Sequence, residues 1–95
     1  MEGLDPSLNA PTRLHLMTLV AAVTEVEFGT LRDELAVSDS VLSKHLSALA
    51  EVGYLRSRKG VRAGRRTTWV ALTSTGRAAL RAHVATLRSI IARVE

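Results

Sequence analysis

The sequence predicts a mainly α-helical chain with one small β-hairpin, an α+β fold in which a three-helix core carries the hairpin and a long last helix. Three observations predict this class. Residues 31–55 have the pattern of two short helices followed by a strand, alternating segments surround two glycines within residues 54–72, and a heptad-like apolar spacing follows in residues 73–95. We expect a single domain over residues 1–95 that begins with an arm over residues 1–8.

The two short helices are predicted by separate apolar stripes. Leu31 and Leu35 share one stripe, and Leu42, Leu46 and Leu49 recur at helical spacing on the other. Only a few residues connect the stripes, which forces the helices to cross steeply instead of stacking antiparallel. The pattern is therefore typical of a helix-turn-helix, which we expect over residues 30–52.

The second of these helices is expected to expose a small polar face with one cation. Ser38 can cap the helix, since its hydroxyl can accept from a free backbone N–H. Short hydroxyls and Lys44 suit base edges or phosphates in a major groove, and Val41 can contact a thymine methyl. An ordinary solvated helix face is the alternative interpretation, because serine and lysine also suit water. The residues expected to read DNA are Ser38, Ser40, Val41, Ser43, Lys44 and Ser47.

The hairpin of residues 54–72 is strongly basic. We expect strands over 54–59 and 67–72, joined by a loop that contains Gly60 and Gly64. Six cations and no acid lie within or beside this loop, a pattern that favours binding to a polyanion. A flexible tip of this kind can enter a minor groove or contact phosphates. The residues expected to bind DNA here are Arg58, Lys59, Arg62, Arg65, Arg66 and Thr67.

Charge is distributed unevenly along the chain. Up to Tyr54 there are three cations and eight acids, whereas from Leu55 onward there are ten cations and one acid. The acidic part would orient the molecule on DNA by repulsion while the basic part is attracted. In the alternative interpretation, some of these acids simply pair with the arginines.

The first and last helices are expected to bring two copies of the chain together. Apolar residues of the last helix are spaced by four and three, which gives a heptad seam. The first helix has apolar residues beside its main stripe, as suits a helix between its own core and a symmetry mate. The alternative is that both helices only close the core of one chain. The expected dimer contacts are Leu14, Met17, Leu80, Val84, Leu87, Ile91 and Val94.

Taken together, these motifs resemble the winged helix-turn-helix transcription regulators of the MarR and ArsR type, most of all the small stand-alone versions. NAPTRLHLMTLV is similar to their first helix, ELAVSDSVLSKHLSALAEVGYL to their second and third, the arginine hairpin to their wing, and LTSTGRAAL to the start of their last helix. The resemblance implies a sequence-specific regulator that binds double-stranded DNA. A twofold dimer would read an inverted repeat, and we expect repression. The alternative is a protein-interaction or architectural module whose basic wing binds an acidic partner.

Metal, cofactor and enzyme functions are disfavoured. The chain has no cysteine, which excludes the thiolate pair that metal-sensing ArsR proteins often carry where this chain has Ala36 and Ser38. His15, His45 and His83 lie on three different predicted helices without a ligand spacing, so we expect no metal and a structural role for His45. No catalytic constellation is present, and we expect neither enzyme activity nor a cofactor.

Composition gives the remaining expectations. One residue each of Phe, Tyr and Trp favours duplex DNA over RNA or single strands, and Trp69 is expected to be a packing anchor. No signal segment and no apolar run long enough for a bilayer is present, so we expect a cytoplasmic protein that does not contact membrane. A sizeable effector pocket is not expected, and whether any small-molecule effector binds is open.

Overall fold

The computed structural model describes residues 3–95, and this part of the chain forms four helices and a three-stranded antiparallel sheet. The elements in chain order are α1 (Pro11–Ala21), β1 (Val26–Glu27), α2 (Phe28–Leu35), α3 (Asp39–Glu51), β2 (Leu55–Arg62), β3 (Arg65–Leu72) and α4 (Ser74–Ala92). The predicted class, mainly α with a small β component, is confirmed. The first two residues of the expected arm lie outside the described residues.

One apolar core joins the helices to the sheet. The stripes of α2 and α3 predicted from sequence contribute to it, and burial of each leucine side chain contributes about 1.5–3 kcal/mol. The core consists of Leu8, Leu16, Met17, Val20, Leu31, Leu42, Leu46, Leu49, Leu55, Val70 and Leu80. Because α3 uses one face for this core, its opposite face is left to solvent.

A short turn sets the angle between α2 and α3. Ala36 ends α2 in the left-handed conformation, with φ at 53°, and redirects the chain. The Ser38 hydroxyl accepts a hydrogen bond from the Val41 N–H at 3.2 Å, which confirms the predicted cap. Arg32 of α2 donates to Asp39 of α3 at 3.1 Å. The cap and this ion pair fix the start of α3 relative to α2.

The sheet contains a strand that the sequence did not predict. β1 pairs with β3 in the register Val26 with Val70 and Glu27 with Trp69, and β2 pairs with the opposite edge of β3. A strand of two residues is too short for alternation of polar and apolar residues to predict it from the sequence. β1 attaches the hairpin to the segment that precedes α2.

The strands of the hairpin extend further than expected, and the predicted loop over residues 60–66 is wrong in its length. β2 and β3 pair up to Arg62 and Arg65, which leaves only Ala63 and Gly64 in the turn. Both turn residues have positive φ, 52° and 77°, as a type I′ turn requires and as the twist of paired strands favours. The arginines near the tip therefore lie on ordered strands.

The start of α4 approaches the start of β2 very closely. Thr73 caps α4 by accepting from the Gly76 N–H at 2.9 Å, in agreement with the predicted start. A Cβ at Gly76 would lie 2.2 Å from the Tyr54 carbonyl oxygen. Only glycine fits at this contact.

The arm packs against α4 and against Tyr54, the residue that precedes β2. The Asp5 N–H donates to Nδ1 of the buried His83 at 2.9 Å, and the Asp5 carboxylate accepts from the Tyr54 hydroxyl at 2.5 Å. The Asp5 hydrogen bond raises the pKa of Tyr54. Leu8 is fully buried in the core. None of the helices in residues 3–95 combines the length and the apolar character needed to cross a membrane.

Two residues expected at the dimer contact belong to the core of the chain itself. Met17 is fully buried and Leu80 is 7% exposed, so the structure does not leave either side chain free for a partner. Helical spacing predicts Met17 beside the main apolar stripe of α1, whereas the fold packs this helix with Leu16, Met17 and Val20 inward. The other five expected residues, Leu14, Val84, Leu87, Ile91 and Val94, are half-buried or exposed.

Candidate nucleic-acid interface

The residues predicted to read DNA are accessible on α3 and its cap. Ser38, Ser40, Val41, Ser43, Lys44 and Ser47 are all exposed. The apolar stripe of α3 is buried on the opposite face, as a helical repeat of 3.6 residues requires. Val41 keeps 40% of its surface exposed, and within residues 3–95 Lys44 forms no ion pair. This face offers hydroxyls, one methyl-bearing side chain and one cation without an acidic partner in the described chain.

Asp39, the acidic residue at the start of α3, forms an ion pair with a cation of α2. Asp39 is paired with Arg32, which also donates to Asp33 at 3.1 Å. These hydrogen bonds, with Asp39 the larger contribution, raise the pKa of Arg32. The negative charge next to the exposed serines is thus offset by a fixed cation, which reduces repulsion of a phosphate backbone.

The hairpin, here called the wing (β2, β3 and their turn), presents its cations on two faces. Successive side chains of a strand point to opposite sides, so Arg65 and Arg66 do not act from the same face. Arg62 and Arg65 are register partners and share one face. Lys59 lies on the other face and donates to Thr68 at 3.0 Å. A duplex that lies on one face of the wing therefore contacts only some of the wing's arginine and lysine side chains.

Two of the arginines expected to bind DNA are held by acids of the chain. Arg58 donates to Glu25 through Nε, at 3.0 Å, and through Nη2. Arg62 donates to Glu27, which also accepts from the Thr67 hydroxyl at 2.9 Å. The alternative interpretation of the charge pattern, in which some acids pair with arginines, is confirmed for these two acids. Any contact of Arg58 or Arg62 with phosphate must compete with a carboxylate.

Trp69 contacts Arg58 and Gly60 on the wing. The Arg58 guanidinium lies 5.6 Å from the centre of the indole ring, within the range of a cation–π contact. A Cβ at Gly60 would lie 2.9 Å from two atoms of the same ring. Gly60 therefore lies within β2, where the indole leaves no room for a Cβ, and not in the loop that the sequence predicts.

A basic groove separates the start of α2 from the wing. Its volume is about 990 Å³, and the cations that line it are Arg32, Lys59, Arg62, Arg65 and Arg66. The only acid among its lining residues within the described chain is Glu27. The groove extends from α2 of the helix-turn-helix to the wing, so a DNA phosphate backbone that lies along it would remain close to positive charge.

His45 connects α3 to α1. Nδ1 of His45 accepts a hydrogen bond from Nε of Arg13 at 3.1 Å, which agrees with the structural role expected for this side chain. Burial lowers the pKa of His45, and the charge of Arg13 lowers it further. Within residues 3–95, no three histidine or carboxylate side chains converge as metal ligands.

The lowered pKa of His45 predicts a stability change with pH. Below the ordinary pKa of about 6.5 the unfolded chain binds a proton that the folded chain still excludes, so the free energy of unfolding should fall as the pH is lowered. Denaturant unfolding at about pH 7.5 and pH 5.5 would measure this loss. His45→Asn keeps an acceptor for Arg13 without titrating, and it should lose less stability over this range. An equal loss in both proteins would contradict the assignment.

Sequence reasoning missed the acids that hold the wing and the cation between the helices. Glu25 and Glu27 flank Val26, an alternation of polar and apolar residues that is the only local sign of β1. Arg32 is one of three cations in the acidic part of the chain, and its position beside the groove depends on the packing of α2 against β3. The arginine partners of the two acids lie far away in sequence, and no local pattern identifies them.

Comparison with known proteins agrees with this geometry. A family model described as winged helix DNA-binding domain matches residues 12–91. The chain belongs to this winged helix family. It is 28% identical over 87 residues to the uncharacterized protein MJ0432 of Methanocaldococcus jannaschii, and the match covers 92% of this chain and 95% of that protein.

Solved structures show the same fold. A transcriptional regulator homologue from Pyrococcus horikoshii has a TM-score of 0.86 at 24% identity, over 94% of this chain and 88% of that one. The regulator MosR of Mycobacterium tuberculosis, solved in complex with DNA, has a TM-score of 0.76 at 25% identity. The match covers 97% of this chain and 65% of MosR. The zinc-responsive MarR family member ZitR of Lactococcus lactis has a TM-score of 0.65 at 20% identity. The match covers 90% of this chain and 58% of ZitR. The likeness to MarR-type winged helices is thereby confirmed at the level of the fold, whereas the likeness to ArsR proteins stays a prediction.

Proposed function

We propose that this winged helix protein is a sequence-specific regulator of transcription, a homodimer that binds double-stranded DNA at an inverted repeat and represses by occupying it. The observation that carries the proposal is the exposed polar face of α3 beside a basic groove and wing. Lys59, Arg65 and Arg66 form no ion pair within residues 3–95, so their charge is available to phosphates. The DNA complex of the structurally similar MosR supports the same use of the fold.

In this proposal α3 enters the major groove. Its serine hydroxyls contact base edges, Val41 contacts a thymine methyl, and Lys44 contacts guanine or phosphate. The wing contacts the adjacent backbone or minor groove, where arginine is favoured by the negative potential. Phosphate contacts supply most of the affinity, and α3 supplies the sequence preference. The protein acts in the cytoplasm, without catalysis or a cofactor.

The far end of α4 supports a dimer. Ile91 is 49% exposed and Val94 is 84% exposed, next to the half-buried Leu87 and Ile90. Such an apolar helix end is costly to leave in water and suits a twofold contact with the same surface of a second chain. Two copies of α3 would then lie about 34 Å apart and meet successive major grooves, which is why the site should be an inverted repeat.

The test is equilibrium binding of the intact protein to mixed-sequence duplex over a range of salt concentrations. We expect affinity to fall steeply with salt, and Lys44→Ala to weaken binding about tenfold. Arg81→Ala removes an equal, exposed charge from the middle of α4, away from its apolar end, and should change binding much less. If Lys44→Ala behaves like Arg81→Ala, α3 is not the reading helix. A wild-type protein that ignores duplex at low salt would refute the proposal in favour of an acidic protein partner.

A further inference from the structure

We propose that Glu25 and Glu27 form a carboxylate clamp that positions the wing and withholds Arg58 and Arg62 from DNA, so that the two acids increase sequence preference at the expense of non-specific affinity. The inference rests on the proposed function and adds positioning residues to it. The two acids lie on or directly before β1, outside the helix-turn-helix and outside the wing.

The clamp spans all three strands of the sheet. β1 and β2 are separated by β3, and neighbouring strands lie about 4.8 Å apart, so each Glu–Arg pair crosses over the central strand. Arg58 holds both oxygens of Glu25 in a forked contact, a geometry that restricts orientation. Glu27 reaches β2 through Arg62 and β3 through Thr67. Both strands of the hairpin are thereby connected to β1.

The clamp also removes a repulsion that the register creates. Arg62 and Arg65 are directly opposite each other next to the turn, and like charges at opposite positions destabilise a strand pair. The Glu27 carboxylate neutralises Arg62 and leaves Arg65 without an acidic partner in residues 3–95. The tip of the wing can therefore remain regular with arginines on both strands.

The protonation states maintain these contacts at neutral pH. Hydrogen bonds from Arg62 and then from Thr67 lower the pKa of Glu27, and its side chain is only 18% exposed. The hydrogen bond to Glu25 raises the pKa of Arg58. The arginine side chains of the two pairs are 56% and 64% exposed, and ion pairs that open to solvent in this way add little to folding stability. The main consequences of the clamp are therefore the direction of the wing and the charge that it presents.

The experiment compares Glu25→Gln/Glu27→Gln with Glu34→Gln/Glu95→Gln, a control that removes the same charge at exposed positions outside α3 whose side chains form no ion pair in residues 3–95. Binding of the intact proteins is measured on the preferred duplex and on mixed duplex. Two freed arginines should steepen the salt dependence for mixed duplex by about one to two units beyond the control, and the preference for the selected site should fall about tenfold. Glu27→Asp, which keeps a carboxylate, should recover part of that preference.

A second arm does not depend on the folding of the double variant. Because Arg62 is held by Glu27, Arg62→Gln should flatten the salt dependence of the wild-type protein much less than Arg65→Gln, which removes the arginine directly opposite it on the same face of the wing, unpaired within the described chain. The clamp is refuted if Arg62→Gln flattens the slope as much as Arg65→Gln, or if the clamp variant matches its control while the wild type binds duplex normally. Absence of wild-type binding would instead refute the proposed function, and the clamp with it.

Discussion

Replacing Arg65 and Arg66 by alanine is expected to weaken duplex binding about tenfold at moderate salt and to reduce the slope of log affinity against log salt by about one to two units. Each phosphate contact releases counterions and contributes about 0.9 to this slope. Both arginines are exposed, and neither forms an ion pair within the described chain. Titration of a labelled duplex at several salt concentrations measures both quantities.

The single variants add information, because Arg65 and Arg66 lie on opposite faces of β3. If the duplex contacts one face of the wing, one single variant should account for most of the change in slope. Arg77→Ala/Arg81→Ala removes two exposed cations from the first half of α4, away from its apolar end, and serves as the control for charge alone. An unchanged slope in the wing variant, or an equal change in the control, would exclude the wing from DNA binding.

Gly76→Ala is expected to cost about 2–3 kcal/mol of unfolding free energy, within the range for forcing an extra methyl into a packed site. The new Cβ would lie 2.2 Å from the Tyr54 carbonyl oxygen and 2.9 Å from Cδ1 of Leu72. That carbonyl cannot move freely, since it accepts from the Thr73 N–H at 3.0 Å and from the Thr73 hydroxyl at 3.1 Å. Urea unfolding followed by circular dichroism measures the loss.

Gly29→Ala is the matched control. Gly29 is in α2, and a Cβ at this position would meet Nη2 of Arg32 at 3.6 Å, an ordinary van der Waals contact. Alanine is the better helix former by about 1 kcal/mol, so this variant should be neutral or more stable than the wild type. If both variants lose similar stability, the close approach of α4 to β2 does not explain the glycine at position 76.

Patterns that repeat along one element predicted the helical part of the fold. The apolar stripes of α2 and α3, the Ser38 cap and the start of α4 follow from local spacing and capping chemistry, and the structure confirms them. The exposed face of α3 follows from the same periodicity. These features required no knowledge of what the elements pack against.

Features that depend on long-range packing were not predictable in the same way. β1 has two residues, and the pairs of Glu25 with Arg58 and Glu27 with Arg62 join positions more than thirty residues apart. Met17 has an apolar side chain that suits either a core or a partner, and only the packing of α1 against the other elements places it inside. Gly60 resembles a turn residue in the sequence, whereas its actual constraint is the indole of Trp69.

The central claim is that two copies of this chain read one inverted repeat through α3. Its most direct test is selection of bound sequences from a random duplex pool, followed by measurement of the number of chains on the selected duplex. We predict enrichment of an inverted repeat with half-site centres about ten base pairs apart and two chains bound per duplex. Recovery of a pool without enriched sequence, or of a single half-site occupied by one chain, would contradict the claim.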